Sequence, residues 1–302
     1  MRRWKPQPSI GLWVAQALLL LMIAGAGFVG VYLAAALQGP PAGWRIDLGF
    51  YLQLVTLLAL LLLAGALLYW IGSAFTLGYE LDRNGLYITW LGNRAVVPLE
   101  QIQSVDVGLD GALLPPIRGI PYYHGQGHLT DGRRLHLFST QPLDRCLVVY
   151  TTDEAYAISP ADHEAFVQDL EQRRHLGATK PLTPSFEPSR MFLYAFWNDT
   201  TVRALLVVAF ALNLLVLGLL ASRYPSLGPM VEMRFDAAGQ VSDLRPRHQV
   251  LFLPLAAFGL SLLNTVLGLA FYRGQQLGAR LLQGASVVVQ LLFGIATITI
   301  IR

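Results

Sequence analysis

A single cysteine, Cys146, stands among 302 residues, so no intramolecular disulfide can staple this chain. That suits a polar region facing a reducing compartment, and the setting of the residue, LDRCLVVY, reads as a strand that buries an inert thiol. Charge is also scarce: 14% of the residues are Asp, Glu, Lys or Arg, against roughly 25% in soluble proteins, while 54% are hydrophobic. Membrane integration is the leading class. Catalytic signatures are missing too. There is no GxSxG, HExxH, Walker or GxGxxG pattern, and no Ser, His and Asp fall at spacings that pair a nucleophile with a base. His124, His128 and His136 fall within 13 residues, but their spacing fits no zinc pattern and no cysteine is near. No basic face suits nucleic acid. The expectation is a non-enzymatic protein with no cofactor, no metal and no nucleic-acid partner.

Long apolar runs are what the chain has instead. Five are long enough to cross a hydrocarbon core, which takes roughly 20 helical residues: Gly11 to Leu37, Phe50 to Phe75, Val202 to Ala221, Val250 to Phe271 and Leu281 to Ile301. Backbone amides in lipid must pair locally, so all five are expected as helices, including the β-branched last one. The first follows a basic tail, MRRWKPQPS, and outlasts a signal-peptide core, so it reads as a retained span. Aromatic residues mark the span ends: Trp4, Trp13, Trp44, Phe50, Tyr51, Tyr69, Trp70, Phe271 and Tyr272. SRMFLYAFWND, before the third span, reads as a short interfacial helix or as that span's first turns.

Inside the spans there is no Asp, Glu, Lys or His, and Arg203 lies near an edge, so a transport pathway lacks its usual residues. The amides of Gln16, Gln53, Asn213, Asn264 and Gln290 are expected to tie helices together. Small residues at Ala26, Gly30 and Ala34, and at Ala257, Ser261 and Thr265, would let helices approach closely. Nine Lys or Arg near span ends fall on the side of the leading tail and the polar middle, and six on the other. That bias places the tail and the polar middle in the cytoplasm and the last residue outside, in a multi-pass plasma-membrane protein.

From Gly78 the pattern changes to YELD, GLYITWL, RAVVPLEQIQSVDVG, GHLT, RLHLFST, CLVVYTT and AYAIS, seven strands in an antiparallel system. RNG at 83–85 and TDGRR at 130–134 supply hairpin turns. A single amphipathic helix follows. Ser159 is read as its cap, Pro160 as its first residue and Asp162 as a carboxylate near its open amides, with Phe166, Val167 and Leu170 on one face. The segment 177–189 reads as a Pro-rich linker. This order, with the phrases YELDRNGLYITW, VPLEQIQSV and QPLDRCLVVYTTDEAYAISPADHEAFVQDL, resembles the bacterial pleckstrin-homology (PH) domain family found in membrane proteins, which implies no catalytic residues. Residues 78–200 carry ten basic and fifteen acidic side chains, so an anionic leaflet repels them. Arg133 and Arg134 are the one adjacent basic pair on an expected loop and the lipid-facing candidates. A protein or peptide partner taken by strand addition is the favoured reading.

The second distinctive stretch is 222–248, containing MRFDAAGQVSDLRP. It resembles the loop-and-span unit of a bacterial membrane family of unknown function, also present in some peptide-toxin immunity proteins. Arg234 and Asp236 stand where that family has His and Asn. Asp236 and Gly239 are expected to build a turn, and Arg234, Asp236, Gly239, Asp243 and Arg245 are the candidate ligand or partner patch. Calcium would need more oxygens than Glu232, Asp236 and Asp243 supply. The expected organisation is a transmembrane hairpin at 1–76, a cytoplasmic PH-like domain at 77–176, a linker with an aromatic interfacial segment at 177–200 and a three-span domain at 201–302. The fold class is membrane α-helical with an inserted β-rich PH-like domain, a seven-stranded sandwich or barrel plus a helix. Its expected role is that of an adaptor, sensor or assembly factor; the alternative is an immunity or ligand-sensing protein acting through the 222–248 loop.

Overall fold

Ahead of the first apolar helix, residues Arg2–Trp4 form a strand, β1, and α1 (Ile10–Ala36) then runs out and α2 (Leu48–Thr76) follows it. The computed structural model describes residues 2–109, 120–187, 193–235 and 241–301, and only the backbone of 193, 194, 234, 235 and 241–243. Eight strands follow α2: β2 (Gly78–Leu81), β3 (Gly85–Trp90), β4 (Asn93–Pro98), β5 (Ile102–Val107), β6 (Tyr123–His128), β7 (Arg134–Ser139), β8 (Leu147–Thr151) and β9 (Glu154–Ile158). Then come α3 (His163–Leu176), β10 (Ser185–Glu187), α4 (Leu193–Asn198), α5 (Thr200–Arg223), β11 (Met230–Phe235), β12 (Val241–Pro246), α6 (Phe252–Phe271) and α7 (Gln276–Ile301). Two units emerge, residues 1–23 with 62–190 and residues 24–61 with 191–302.

All five expected crossings are helices of 25 residues or more when their flanking turns are counted. Their outward surface is apolar: Leu21 on α1, Leu62 on α2, Val207 on α5, Leu255 on α6 and Leu292 on α7 are each at least 60% exposed. An apolar exterior of that extent has no stable place in water, and the five helices have the length and composition of membrane spans.

In the first unit, the described residues form two five-stranded sheets, in the orders β1-β2-β3-β4-β10 and β5-β8-β9-β7-β6. The run expected as one strand over 94–108 is two, because a 3-10 turn at Leu99–Gln101 carries the chain from the first sheet to the second. The described residues of 78–158 therefore hold eight strands where seven were expected. One pairing also departs from an antiparallel system: β7 and β9 run parallel, Arg134 opposite Glu154 through Phe138 opposite Ile158. Alternation sorts the side chains. Leu147 and Val149 of β8 and Tyr156 and Ile158 of β9 join the core between the sheets, with Leu81, Leu86, Ile88 and the α3 residues Phe166 and Leu170. Val148, Ala155, Ala157 and Cys146 face the other way into a second cluster with Leu135 and Leu137. Burial pushes the Cys146 thiol up to about 12.

Both expected hairpin turns are present. Asp82 Oδ1 accepts from the amides of Asn84 and Gly85 between β2 and β3, and Gly132, at φ 88°, turns β6 into β7. A third turn went unanticipated: Leu91 at φ 43° and Gly92 at φ 78° join β3 to β4 in two residues. Leu91 is a poor residue for that conformation, but its amide donates to Thr76 Oγ1 at 2.8 Å, at the end of α2.

Residues 2–9 are not a loose basic tail. β1 pairs antiparallel with β2, Trp4 opposite Tyr79. Gln7 N donates to Ser159 O, Ala161 N to Lys5 O, Gln141 Nε2 to Pro8 O and Ser9 Oγ to Pro121 O, all within 2.8–2.9 Å. Trp4 is not a boundary aromatic but part of the core, 8% exposed and edge-on to Phe166 at 5.6 Å. The stretch expected as a linker likewise adds β10, pairing with β4. Asn84 Oδ1 fixes its approach, accepting from Thr179 N, Thr179 Oγ1 and Lys180 N.

The second unit centres on α5, α6 and α7, where the expected amide ties appear. Asn213 Nδ2 donates to Gln290 Oε1 and Pro254 O, and Gln290 Nε2 to Ser261 Oγ. One turn along, Asn264 Nδ2 donates to Ser286 Oγ, while Gln283 Nε2 donates to Asn264 O. Gln16 and Gln53 belong to neither set, and Gln283 was not anticipated. Ala257, Ser261 and Thr265 do lie at helix contacts. On α1, however, Gly30 has open space within 4 Å of where a Cβ would stand and Ala34 is exposed, whereas Gly25 faces Leu60.

Candidate functional site

The helix that closes the PH-like domain begins three residues later than expected. Asp162 is its cap, accepting from Ala165 N, and His163 is its first residue. Ser159 has other work: its hydroxyl accepts from Thr140 N at 2.7 Å and meets Thr140 Oγ1 at 2.8 Å, while its amide donates to Tyr79 OH. Tyr79 in turn donates to Phe138 O at 2.6 Å, and burial holds its phenol well above the usual range. This knot joins β2, β7 and the end of β9.

Arg133 and Arg134 do not form a paired basic surface. Asp131 takes Arg133 Nε at 2.7 Å and Nη2 at 2.6 Å, and the guanidinium lies over the Tyr150 ring at 4.7 Å. Arg133 holds the Asp131 carboxyl below its usual range. Arg134 alone is exposed, at the start of β7.

The three histidines separate. His136 is 3% exposed and stacks on Tyr156 at 5.1 Å, with Phe186 of β10 at 4.8 Å and Glu154 Oε1 at 3.4 Å. His124 sits among Tyr122, Phe138 and Trp90, and His128 ends β6. Burial pushes the His136 imidazole down, against the pull of Glu154 and aided by Arg134. Its unfolded form takes a proton near pH 6.5. The unfolded chain therefore binds more protons below that value, and the stability His136 contributes is present above about pH 6.5 and lost as pH falls through the lower folded value. The thermal midpoint of the purified protein is expected to drop between about pH 7 and pH 5, and His136→Phe should make that drop shallower.

In the second unit, the 222–248 stretch holds two strands, β11 and β12, that pair antiparallel, with Arg234 opposite Asp243 and Val231 opposite Arg245. The register thus brings two of the five candidates face to face across the ladder. Asp236 and Gly239 lie outside the described residues, as do the side chains of Arg234 and Asp243. Arg245 Nη1 donates to Gln249 Oε1 at 3.3 Å. The base of the strand pair packs on the α1–α2 connection, with Trp44 6.5 Å from His248, Arg247 Nη2 donating to Ala42 O, and Ile46, Leu220, Tyr224, Val231 and Val250 buried together.

The most concentrated polar group was missed from sequence. Asp199 caps α5, its Oδ1 accepting from Thr201 N and Val202 N, while Oδ2 accepts from Tyr272 OH at 2.9 Å and Arg280 Nε at 2.8 Å. The DTTV cap pattern is visible in the sequence, but partners more than 70 residues away are not. Tyr272 is accordingly buried against Phe196 rather than placed as a boundary aromatic, and Phe196 belongs to a separate short helix, α4, not to the first turn of α5.

Residues 77–174 match the family model described as bacterial PH domain. The chain therefore carries a bacterial PH domain between its second and third apolar helices. No curated protein and no solved structure gives a match. The family match stops short of the 222–248 stretch, and nothing in these comparisons supports its likeness to the immunity-protein family.

Proposed function

We propose that this chain is a non-enzymatic adaptor or assembly factor of the plasma membrane that holds its PH domain in the cytoplasm and engages an extended peptide segment of a partner protein. The observation that carries this is β5. It ends its sheet, pairs only with β8 among the described residues, and exposes side chains along most of its length, with Val107 71% exposed. A strand with one unpaired edge supplies backbone donors and acceptors to an added strand, and its alternate side chains supply selectivity. The opposite end strand, β6, has Gly125 and Gly127 within its six residues and offers a partner fewer side chains. Orientation draws support from the basic residues 2, 3 and 5, which fold onto the domain rather than sitting apart from it.

A photo-reactive amino acid at Ser104 tests this in living cells. It is expected to give a discrete protein adduct that the same group at exposed Glu171 of α3 does not give. The absence of any β5-specific adduct would remove strand addition as the mode of action. Ser104→Cys and Ser226→Cys, read with a membrane-impermeant thiol reagent, test the orientation, because native Cys146 is fully buried. Only Ser226→Cys should label from outside.

A further inference from the structure

We infer that the groove between residues 3–9 and the two helix ends beside it is a seat for an anionic glycerophospholipid, separate from the β5 edge. The groove is a pocket of about 500 Å³ whose lining includes Arg3, Trp4 and Lys5 together with Leu12, Phe75 and Leu77. Its position is set by the chain. α1 begins at Ile10 and α2 ends at Thr76, so the pocket lies where two apolar helices meet the polar domain, at the level of lipid headgroups.

Its lining has the composition such a ligand would require. It carries two cations, Arg3 and Lys5, and no carboxylate, and Leu12, Phe75 and Leu77 supply hydrocarbon for an acyl chain. Arg3 is available: its side chain is 65% exposed, and its one ion-pair contact among the described residues, with Glu80 at 3.9 Å, is too long for a hydrogen bond. Trp4 lines the same pocket. Electrostatics also change once the tail is folded in. Residues 78–200 sum to −5, but Arg2, Arg3 and Lys5 bring this to −2 and place all three added charges at the membrane end. The acidic balance of the domain therefore no longer argues against an anionic lipid at this one place, while Arg133, occupied by Asp131, offers no second one.

The test uses the full chain in nanodiscs of phosphatidylcholine with increasing phosphatidylglycerol, reading thermal midpoint and the lipid retained after detergent extraction. Wild type should gain stability with phosphatidylglycerol and retain it preferentially. Arg3→Gln with Lys5→Gln should cut that preference by about fivefold per charge, the factor one interfacial basic residue supplies. Arg133→Gln with Arg134→Gln, an equal change in net charge, should leave it intact. Slow labelling of buried Cys146 in each variant certifies that the domain is folded. Equal preference in wild type and the Arg3/Lys5 variant overturns the assignment. So does stabilisation by inorganic phosphate as large as that by phosphatidylglycerol, which would make the groove a soluble-anion site.

Discussion

Trp4→Ala is expected to accelerate modification of Cys146 by a thiol reagent about 10²- to 10⁴-fold, although the two residues belong to different clusters. Truncating a buried tryptophan to alanine costs about 3–5 kcal/mol, from lost burial and from the cavity left behind. Trp4 sits within the core between the sheets, edge-on to Phe166 of the closing helix. Cys146, fully buried behind β8, reacts only when the domain opens, and its thiol, held up to about 12 by burial, is unreactive while closed. Where reclosing is faster than labelling, the rate follows the opening equilibrium, so the lost stability appears as a multiplied rate. Trp13→Ala is the control: Trp13 is 73% exposed on α1, and its truncation should leave the rate within a few-fold. Equal rates for Trp4→Ala and wild type would mean that residues 2–9 add nothing to the domain core.

The same residue shows where the sequence is legible and where it stops. An aromatic ring beside Arg and Lys, just ahead of an apolar run, has the local pattern of a boundary anchor, and three residues are too few to display strand alternation. Only the partner strand β2, more than 70 residues later, makes RRW a strand. The spans themselves were legible because length and composition suffice in lipid, and each helix lies within a few residues of its expected bounds. The PH order was legible because its strands alternate and its turns carry Asp, Asn and Gly in order. Local rules failed where two groups competed for one role. Ser159 and Asp162 are both good caps, and the choice went to Asp162 because Tyr79 and Thr140 occupy Ser159. The break at Leu99–Gln101 was hidden because apolar alternation continues on both sides of it.

Asp199→Ala is expected to lower the thermal midpoint of the three-helix unit more than any other single substitution of a polar residue there, and the reason is that one carboxylate serves four donors. Losing the cap on α5 costs about 1 kcal/mol. Leaving the Tyr272 hydroxyl buried without its acceptor adds about 1–3 kcal/mol, and Tyr272 is 6% exposed against Phe196. Arg280 is also left without its carboxylate at the start of α7. Asp199→Asn separates these contributions. Its amide oxygen still caps α5, but one group cannot also serve as an anion for Arg280 and an acceptor for Tyr272, so an intermediate loss is expected. Asp47 supplies the contrast, since its Oδ1 accepts from Phe50 N at the start of α2 at an exposed site. Asp47→Ala should therefore cost no more than a cap alone, about 1 kcal/mol. Melts followed by far-ultraviolet ellipticity in detergent would rank the three. If Asp199→Ala and Asp47→Ala melt alike, the buried hydroxyl and the guanidinium draw nothing from Asp199 beyond ordinary capping. An ordering with Asp199→Ala lowest and Asp199→Asn between it and wild type would locate the stabilisation in the shared oxygen, Oδ2, that joins the first turn of α5 to the end of α6 and the start of α7.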